Sequence, residues 1–186
     1  MTVSTVAISR NGQAALGRLK EMRTYGGALV TRGLADEVIL DFLTENADLA
    51  VAIERGYDSF LELKETHADL LALDESEQII QTQQGIKNFY PTDAVNPYVA
   101  VAAAGPWIVT LKGAVVYDCG GYGMLGFGHA PLAVLDAMNK PHAMANVMTP
   151  SISQFDFVQR LRKEIGHTRP DGFPFARFIC MNSGSE

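Results

Sequence analysis

The residues best suited to chemistry stand at the end of the sequence, in the segment Asn182-Ser-Gly-Ser-Glu186. They follow a short apolar run, Phe178–Met181, whose length is typical of a buried strand. Small residues at that place let backbone N–H groups approach an anion closely, and Ser183 and Ser185 add hydroxyl groups. A helix beginning near Ser185 would direct the positive end of its dipole at the same point. The segment therefore predicts an anion site, with phosphate as the usual occupant.

A second candidate is the glycine-rich stretch Gly120–His129, in which residues 121–126 match G-x-G-x-x-G after a predicted strand. In a dinucleotide site the helix begins inside this motif, and an acidic residue ends the next strand. Here the helix signal starts only at Pro131, and the acids Asp136 and Asp156 lie inside predicted helices. A sharply bent loop with glycines at positive φ is a simpler interpretation. We favour a third, a loop shaped around a ligand.

Composition narrows the class of protein. The chain has 186 residues, of which 47% are hydrophobic and 19% charged, and its net charge is −6 without a block of basic residues. This argues for a globular domain and against a nucleic-acid surface. Cys119 and Cys180 lie in apolar sequence without a second Cys or His at metal-ligand spacing, so we expect reduced core thiols and no metal. Neither a membrane span nor a signal peptide is indicated, and we expect a cytoplasmic protein.

The first 85 residues predict amphipathic helices. The spacing of Val38, Ile39, Phe42 and Leu43 favours a helix from Asp36, and the helical segments expected are 36–43, 47–56, 60–73 and 74–84. Gly26-Gly27 and Gly33 mark breaks before them. We expect the apolar stripes to be buried in a core or a subunit contact. His67 falls on such a stripe and is expected to be a partly exposed helix residue rather than a ligand.

The remainder predicts a linker near residues 88–98, a hairpin and two helices. The hairpin strands are Trp107–Leu111 and Ala114–Asp118, separated by Lys112-Gly113. One helix is expected from Pro131 to Met138. A second is expected over residues 153–165, with Ser151 or Ser153 as its cap.

Taken together, the residues from about Asn96 onward resemble class III aminotransferases of the ornithine-transaminase type, which use pyridoxal 5′-phosphate. Four segments carry the resemblance in the order of that family: a strand ending in Tyr-Asp, a glycine-rich loop ending in Gly-His, a segment before a helix, and an Asn-Ser-Gly-Ser-Glu signature. In this chain they are residues 114–118, 120–129, 145–150 and 178–186. The last is the closest match. Ala130-Pro131 departs from the family, which usually reads x-His-Pro after Gly-His.

The resemblance implies roles for a few residues. Ser183, Gly184 and Ser185 would bind the cofactor phosphate, and Tyr122 would face the substrate. Asn146 to Thr149 would line an entrance shared by a homodimer. No catalytic residue is implied within this chain. The Schiff-base lysine of the family follows the Ser-Gly-Ser signature, and the six lysines here all precede it, so that lysine is expected beyond residue 186.

The resemblance also implies a fold and a domain plan. We expect an α/β protein with a helical extension over residues 1–85 and the hairpin and active-site loop of a small domain over residues 86–150. Residues 151–186 would begin a fold type I large domain with a mostly parallel sheet.

The function expected is that of the N-terminal portion of an enzyme, completed by a C-terminal remainder. It would move an amino group between an amine or amino acid and a 2-oxo acid. Two alternatives stay open. One is a pyridoxal-phosphate racemase, mutase or decarboxylase of the same fold, and the other is a non-catalytic helical interaction protein.

Overall fold

The computed structural model describes residues 3–87, 91, 94–120, 126–143 and 148–180, and of residues 3–10 the backbone alone. The helices are α1 (Val3–Thr24), α2 (Asp36–Leu43), α3 (Ala47–Thr66), α4 (Ala68–Ala72), α5 (Glu75–Gln83), α6 (Leu132–Met138) and α7 (Ile152–Gly166). The strands are β1 (Ala100–Ala104), β2 (Trp107–Thr110) and β3 (Val115–Tyr117). They form one antiparallel sheet in the order β1-β2-β3. The protein is therefore mixed α/β, as the sequence predicts.

The chain divides into two compact units. Unit 1 comprises residues 1–135 and unit 2 comprises residues 136–186. Helices α1, α2, α3 and α4 share a hydrophobic core with the sheet inside unit 1. The boundaries expected from the sequence, near residues 85 and 150, remain a prediction.

The core of unit 1 forms where α1, α2 and α3 meet the sheet. Its members are large apolar side chains that are almost fully removed from solvent, namely Leu19, Met22, Ile39, Leu49, Ile53, Phe60, Leu71, Trp107, Val109 and Val115. The predicted stripe on α2 is confirmed only in part. Ile39 is buried, whereas Val38 and Phe42 remain about 40% exposed (38% and 42%). The Phe42 ring packs against Trp107 in a tilted arrangement, with ring centroids 4.9 Å apart and an angle of 59° between the ring planes.

Gly56 does not end its helix, although the sequence predicts a break there. Helix α3 continues through it to Thr66. A Cβ at this position would lie 2.9 Å from Val109 Cγ1. The glycine therefore allows α3 to approach the sheet closely, and the packing gained outweighs the low helix propensity of glycine.

Strand β1 is an element that the sequence reading missed. Its residues are almost all alanine, so the period of two that marks a half-buried strand is weak. Pairing with β2 defines it, through partners such as Ala104 and Trp107, and a register shift lies between Ala100 and Ala102.

In unit 2 the predicted helix is present but the predicted strand is not. Ser151 caps α7, accepting a hydrogen bond from the Gln154 N–H while the Gln154 side chain accepts from the Ser151 N–H. Residues 178–180 form no strand, and Ile179 is 86% exposed. A strand needs a neighbouring backbone for its hydrogen bonds, and the described part of the chain offers none to this segment.

The prediction of buried cysteines is wrong for both thiols. Cys119 and Cys180 are free and exposed. Cys119 lies just past the end of β3, and Cys180 lies within an apolar run whose described residues, 178–180, pair with no strand of the described chain. Apolar neighbours in sequence therefore do not bury either thiol.

Candidate functional site

The glycine-rich stretch is part of a loop from Asp118 to His129, and both ends of this loop lie at the turn between β1 and β2. Asp118, the first residue after β3, donates its N–H to Pro106 O at 2.8 Å. At the other end, the His129 N–H donates to Gly105 O at 2.7 Å and the Gly105 N–H donates to His129 O at 3.1 Å. Backbone hydrogen bonds thus hold both ends of the stretch at residues 105–106.

A side-chain contact joins the same two ends. His129 Nε2 lies 2.9 Å from Asp118 Oδ2, and the two side chains are 22% and 21% exposed. The other carboxylate oxygen, Asp118 Oδ1, accepts the Gly120 N–H at 2.9 Å. We refer to Asp118 and His129 as the loop-base pair. The Asp118 carboxylate therefore contacts both the first residue of the stretch, Gly120, and the last, His129.

Glycine is required at Gly105 and Gly128, where the β1–β2 turn and the end of the loop approach each other closely. Gly105 has φ +52°, and a Cβ there would lie 2.5 Å from Asp48 Oδ2. Gly128 has φ +73°, and its Cβ would meet the Gly105 backbone at 2.9 Å. L-residues with side chains are disfavoured at both positions by backbone conformation and by space. Of the glycines in the stretch, Gly126 and Gly128 have the positive φ that the bent-loop interpretation expects, and Gly121 and Gly123 lie outside the described residues.

The loop-base pair lies in a partly desolvated setting. Burial raises the pKa of the half-buried Tyr98 phenol above its ordinary value, and the negative charge of Asp118 raises it further. Tyr98 therefore lies within electrostatic reach of the pair. A carboxylate that holds one ring nitrogen fixes the orientation and the tautomer of an imidazole. The arrangement is suited to positioning the loop and the His129 ring.

Most of the site residues predicted from the sequence lie outside the residues that the structure describes. Tyr122, Ser183, Gly184 and Ser185 lie outside the described residues, as does Asn146. Thr149, at the end of the predicted entrance segment, is exposed. The roles assigned to these residues remain predictions.

The lysines matter because pyridoxal phosphate needs an amine to hold it. Lys112 stands in the turn after β2, yet its side chain is only 1% exposed. Its Nζ donates to Leu71 O at 3.2 Å, to Gly27 O at 3.4 Å and to Tyr25 O at 3.5 Å. Burial lowers the pKa of Lys112, and the nearby charges of Asp74 and Glu75 oppose that shift. Three carbonyls use the three hydrogens of an ammonium group, so this lysine has a structural role.

The other lysines do not build a cofactor site either. Lys20 pairs with Asp36 and Lys64 pairs with Glu21 on the surface, and the remaining three, Lys87, Lys140 and Lys163, are exposed. Within the described ranges, the residues around the loop-base pair supply no amine. They do not fit pyridoxal phosphate by themselves.

Two features of the site escaped the sequence reading. Asp118 and His129 each end a motif segment, but the sequence analysis does not predict that they form a pair. Their positions at the two ends of a glycine-rich loop are the signal that could indicate this contact. Lys112 gave a weaker signal, a single charge between the apolar runs 107–111 and 114–117.

Comparisons with known proteins supply no family. No protein-family model matches the chain, and no curated protein and no solved structure matches it. None of the described helices is both long enough and apolar enough to cross a membrane.

Proposed function

We propose that this chain is the N-terminal portion of a pyridoxal-phosphate-dependent aminotransferase of class III. The whole enzyme would move an amino group between an amine or amino acid and a 2-oxo acid. The observation that carries the proposal is the order of four segments: the strand ending at Asp118, the glycine-rich loop ending at His129, the segment 145–150, and the Asn182-Ser-Gly-Ser-Glu186 signature.

The geometry at the loop base supports this assignment. The hairpin of β2 and β3 delivers Asp118 to the start of the loop, and the loop-base pair joins the loop's two ends at 2.9 Å. In this proposal the closed loop presents Tyr122 to the substrate. A loop that carries a recognition residue benefits from fixed ends, because less conformational freedom is then lost on binding.

The cofactor would be held mainly by other residues. Bound pyridoxal phosphate acts as an electron sink that stabilises a carbanion next to nitrogen. Ser183, Gly184 and Ser185 would bind its phosphate. The proposal assigns the lysine to a segment beyond residue 186, because the described lysines do not fit that role. The described residues then act in loop and substrate positioning.

The surface of unit 2 gives independent support for a larger protein. Its described residues include none that is buried, and Met138, Ile152, Phe155 and Phe175 are each more than half exposed. Exposed apolar residues in such number are typical of a surface that packs against another protein or against a membrane. The proposal assigns this cover to the large domain, with a mostly parallel sheet, and to the second subunit of a homodimer in the cytoplasm.

Part of the predicted apolar stripes in unit 1 is covered within the unit itself. Ile39, Phe60 and Leu71, which belong to the predicted stripes, are buried against the remainder of unit 1. Val38 and Phe42 of the same stripes remain 38% and 42% exposed, so the alternative of an interaction protein that binds through residues 1–85 stays open.

The test uses the complete open reading frame that contains these residues. The purified product is expected to carry an absorbance band of bound pyridoxal phosphate that shifts when an amine donor is added. A full-length protein without bound cofactor would contradict the proposal.

A variant of the loop-base pair tests the part played by this chain. Asp118→Asn is expected to keep the cofactor band and to raise KM for the amine donor, because the pair holds the loop and not the cofactor. Asp171→Asn, at an exposed position, is the matched control. Equal KM values for the two variants would separate the loop-base pair from substrate binding.

A further inference from the structure

Three polar side chains outside the loop-base pair lie deep inside unit 1. Glu75 and Lys112 are 1% exposed and Gln78 is fully buried. We refer to them as the buried triad. Buried polar atoms are normally hydrogen-bonded, so an exception asks for a partner. Within the described part of the chain, Glu75 Oε1 and Gln78 Oε1 receive no hydrogen bond.

The members of the triad converge on one point. Lys112 Nζ and Gln78 Nε2 both donate to Leu71 O, at 3.2 Å and 3.3 Å. Glu75 and Gln78 are three residues apart on α5 and thus lie on the same face of the helix. The charge of Glu75 also acts on Lys112. The two unpaired oxygens therefore belong to side chains on one face of α5, and the Gln78 side chain lies at the carbonyl end of α4.

The orientation of the Gln78 amide is fixed by its surroundings. Its Nε2 donates to Leu70 O at 3.0 Å and to Leu71 O at 3.3 Å. Exchanging the amide nitrogen and oxygen would set oxygen against two carbonyls. The unpaired atom is therefore an acceptor, as is Glu75 Oε1.

The two unpaired oxygens of the buried triad determine which kind of ligand fits beside them. Two acceptors without partners require a ligand that donates at least two hydrogens, and the Glu75 carboxylate, which carries one of these acceptors, repels an anion such as phosphate. A metal cation would meet the ammonium group of Lys112, and no cluster of three metal-ligating side chains occurs among the described residues. Water is a neutral molecule with two donors, and buried waters commonly make two to four such bonds.

We propose that the buried triad is an internal hydration site in which an ordered water donates to Glu75 Oε1 and Gln78 Oε1. The site completes a network that fixes the segment between α1 and α2. Glu75 Oε2 accepts the N–H groups of Val30 and Thr31 at 2.7 Å and 2.6 Å, and the Glu75 N–H donates to Ala28 O at 3.0 Å. The water thus donates to one oxygen of the Glu75 carboxylate, and the other oxygen accepts hydrogen bonds from the segment between α1 and α2.

The test is solution NMR on the isotope-labelled chain. In the wild type we expect cross-relaxation between a long-lived water and the Gln78 side-chain amide, and between the same water and the Val30 and Thr31 amides, which donate to the Glu75 carboxylate. We also expect a Glu75 carboxyl carbon shift typical of a carboxylate. Gln78→Met removes one acceptor and is expected to abolish the water signal at the Val30 and Thr31 amides. Gln81→Met, at an exposed position on the same helix, should leave it unchanged.

Two results would overturn the proposal. One is the absence of any water signal at the triad in the folded wild-type chain. The other is a protonated Glu75 that donates directly to Gln78 Oε1, which the carboxyl shift would reveal. If Gln78→Met does not fold, Glu75→Gln gives the second test. Its amide would donate in place of the water, so a water signal that persists unchanged in this variant would also contradict the site.

Discussion

The two compact units of the chain both contain amphipathic helices, but among the described residues only unit 1 fully buries large apolar side chains. In unit 1 the large side chains Phe60 and Trp107 are each 1% exposed. In unit 2 the helix α7 has comparable residues, yet Phe155 is 61% exposed and Phe157 is 49% exposed. The difference lies in the sheet. Helix α3 packs on β1 and β2, whereas no strand occurs in the described residues of unit 2.

In both units an amphipathic sequence folds as a helix, but this pattern does not by itself provide a core. Both units have local signals of good quality, including the capping box at Ser151. Helical stability in proteins comes mostly from packing of the apolar face. Unit 1 is therefore expected to respond to core substitutions as a folded domain, and unit 2 to respond weakly.

The largest expected effect separates the units directly. Phe60→Ala should lower the free energy of unfolding by about 3–5 kcal/mol, because it empties a packed site in the core. Phe155→Ala should change it by less than about 0.5 kcal/mol, because the ring is already exposed. Urea unfolding of both variants measures the contrast. Similar losses in the two variants would show that α7 is packed as tightly as α3.

A buried cation gives the next effect. Lys112→Met should lower the free energy of unfolding by about 3 kcal/mol, because it leaves Glu75 without a nearby positive charge and removes the donor to three carbonyls. The control is Lys163→Met on α7, where the lysine is exposed and the change should stay within about 0.5 kcal/mol. A Lys112→Met variant as stable as this control would contradict the structural role of Lys112.

The loop-base pair should have a local effect. Asp118→Asn weakens a charge-assisted contact with His129, and we expect a loss of about 1 kcal/mol confined to the loop ends. Amide exchange at Gly126, Gly128 and His129 should quicken about fivefold to tenfold, while that of β2 stays unchanged. Faster exchange throughout β2 would indicate a global rather than a local change.

The smallest effect depends on pH. Arg23 donates a hydrogen bond to Asp36 at 2.6 Å, which is the main reason that the pKa of Asp36 lies below its ordinary value. The unfolded chain therefore takes up this proton at higher pH than the folded chain. The stabilisation is present above about pH 4 and is lost as the pH falls further.

Asp36→Asn should accordingly cost about 1 kcal/mol near neutral pH and progressively less in acid. Unfolding free energies of the wild type and the variant, measured across the acid range, test this. A difference that stays constant down to the lowest pH would rule out the ion pair as its source.

The fold could be predicted where local signals decide. Helices α2, α5, α6 and α7 and the β2–β3 hairpin were predicted from apolar periodicity, capping residues and the turn at Gly113. What could not be predicted depends on tertiary contacts. Gly56 lies within a helix because it packs on Val109, and the alanines of β1 form a strand because β2 pairs with them. The apolar run 178–180 forms no strand, since pattern alone supplies no pairing partner.

The site was predictable to a smaller extent. The sequence identifies Asp118 and His129 as the ends of a glycine-rich loop, but their contact depends on the backbone bridge between His129 and Gly105. Lys112 in a hairpin turn would ordinarily be exposed. Its burial requires the carbonyl ends of α1 and α4 to meet the turn, and nothing in the sequence near Lys112 indicates that.

Hydrogen exchange of the whole chain, followed by mass spectrometry, tests the central claim most directly. This claim is that the helices and sheet of unit 1 form a covered, cooperative core and that α7 lacks such cover. We predict protection close to the global unfolding free energy across α3 and β2, and much faster exchange across α7. Protection of α7 equal to that of α3 in the same sample would contradict it.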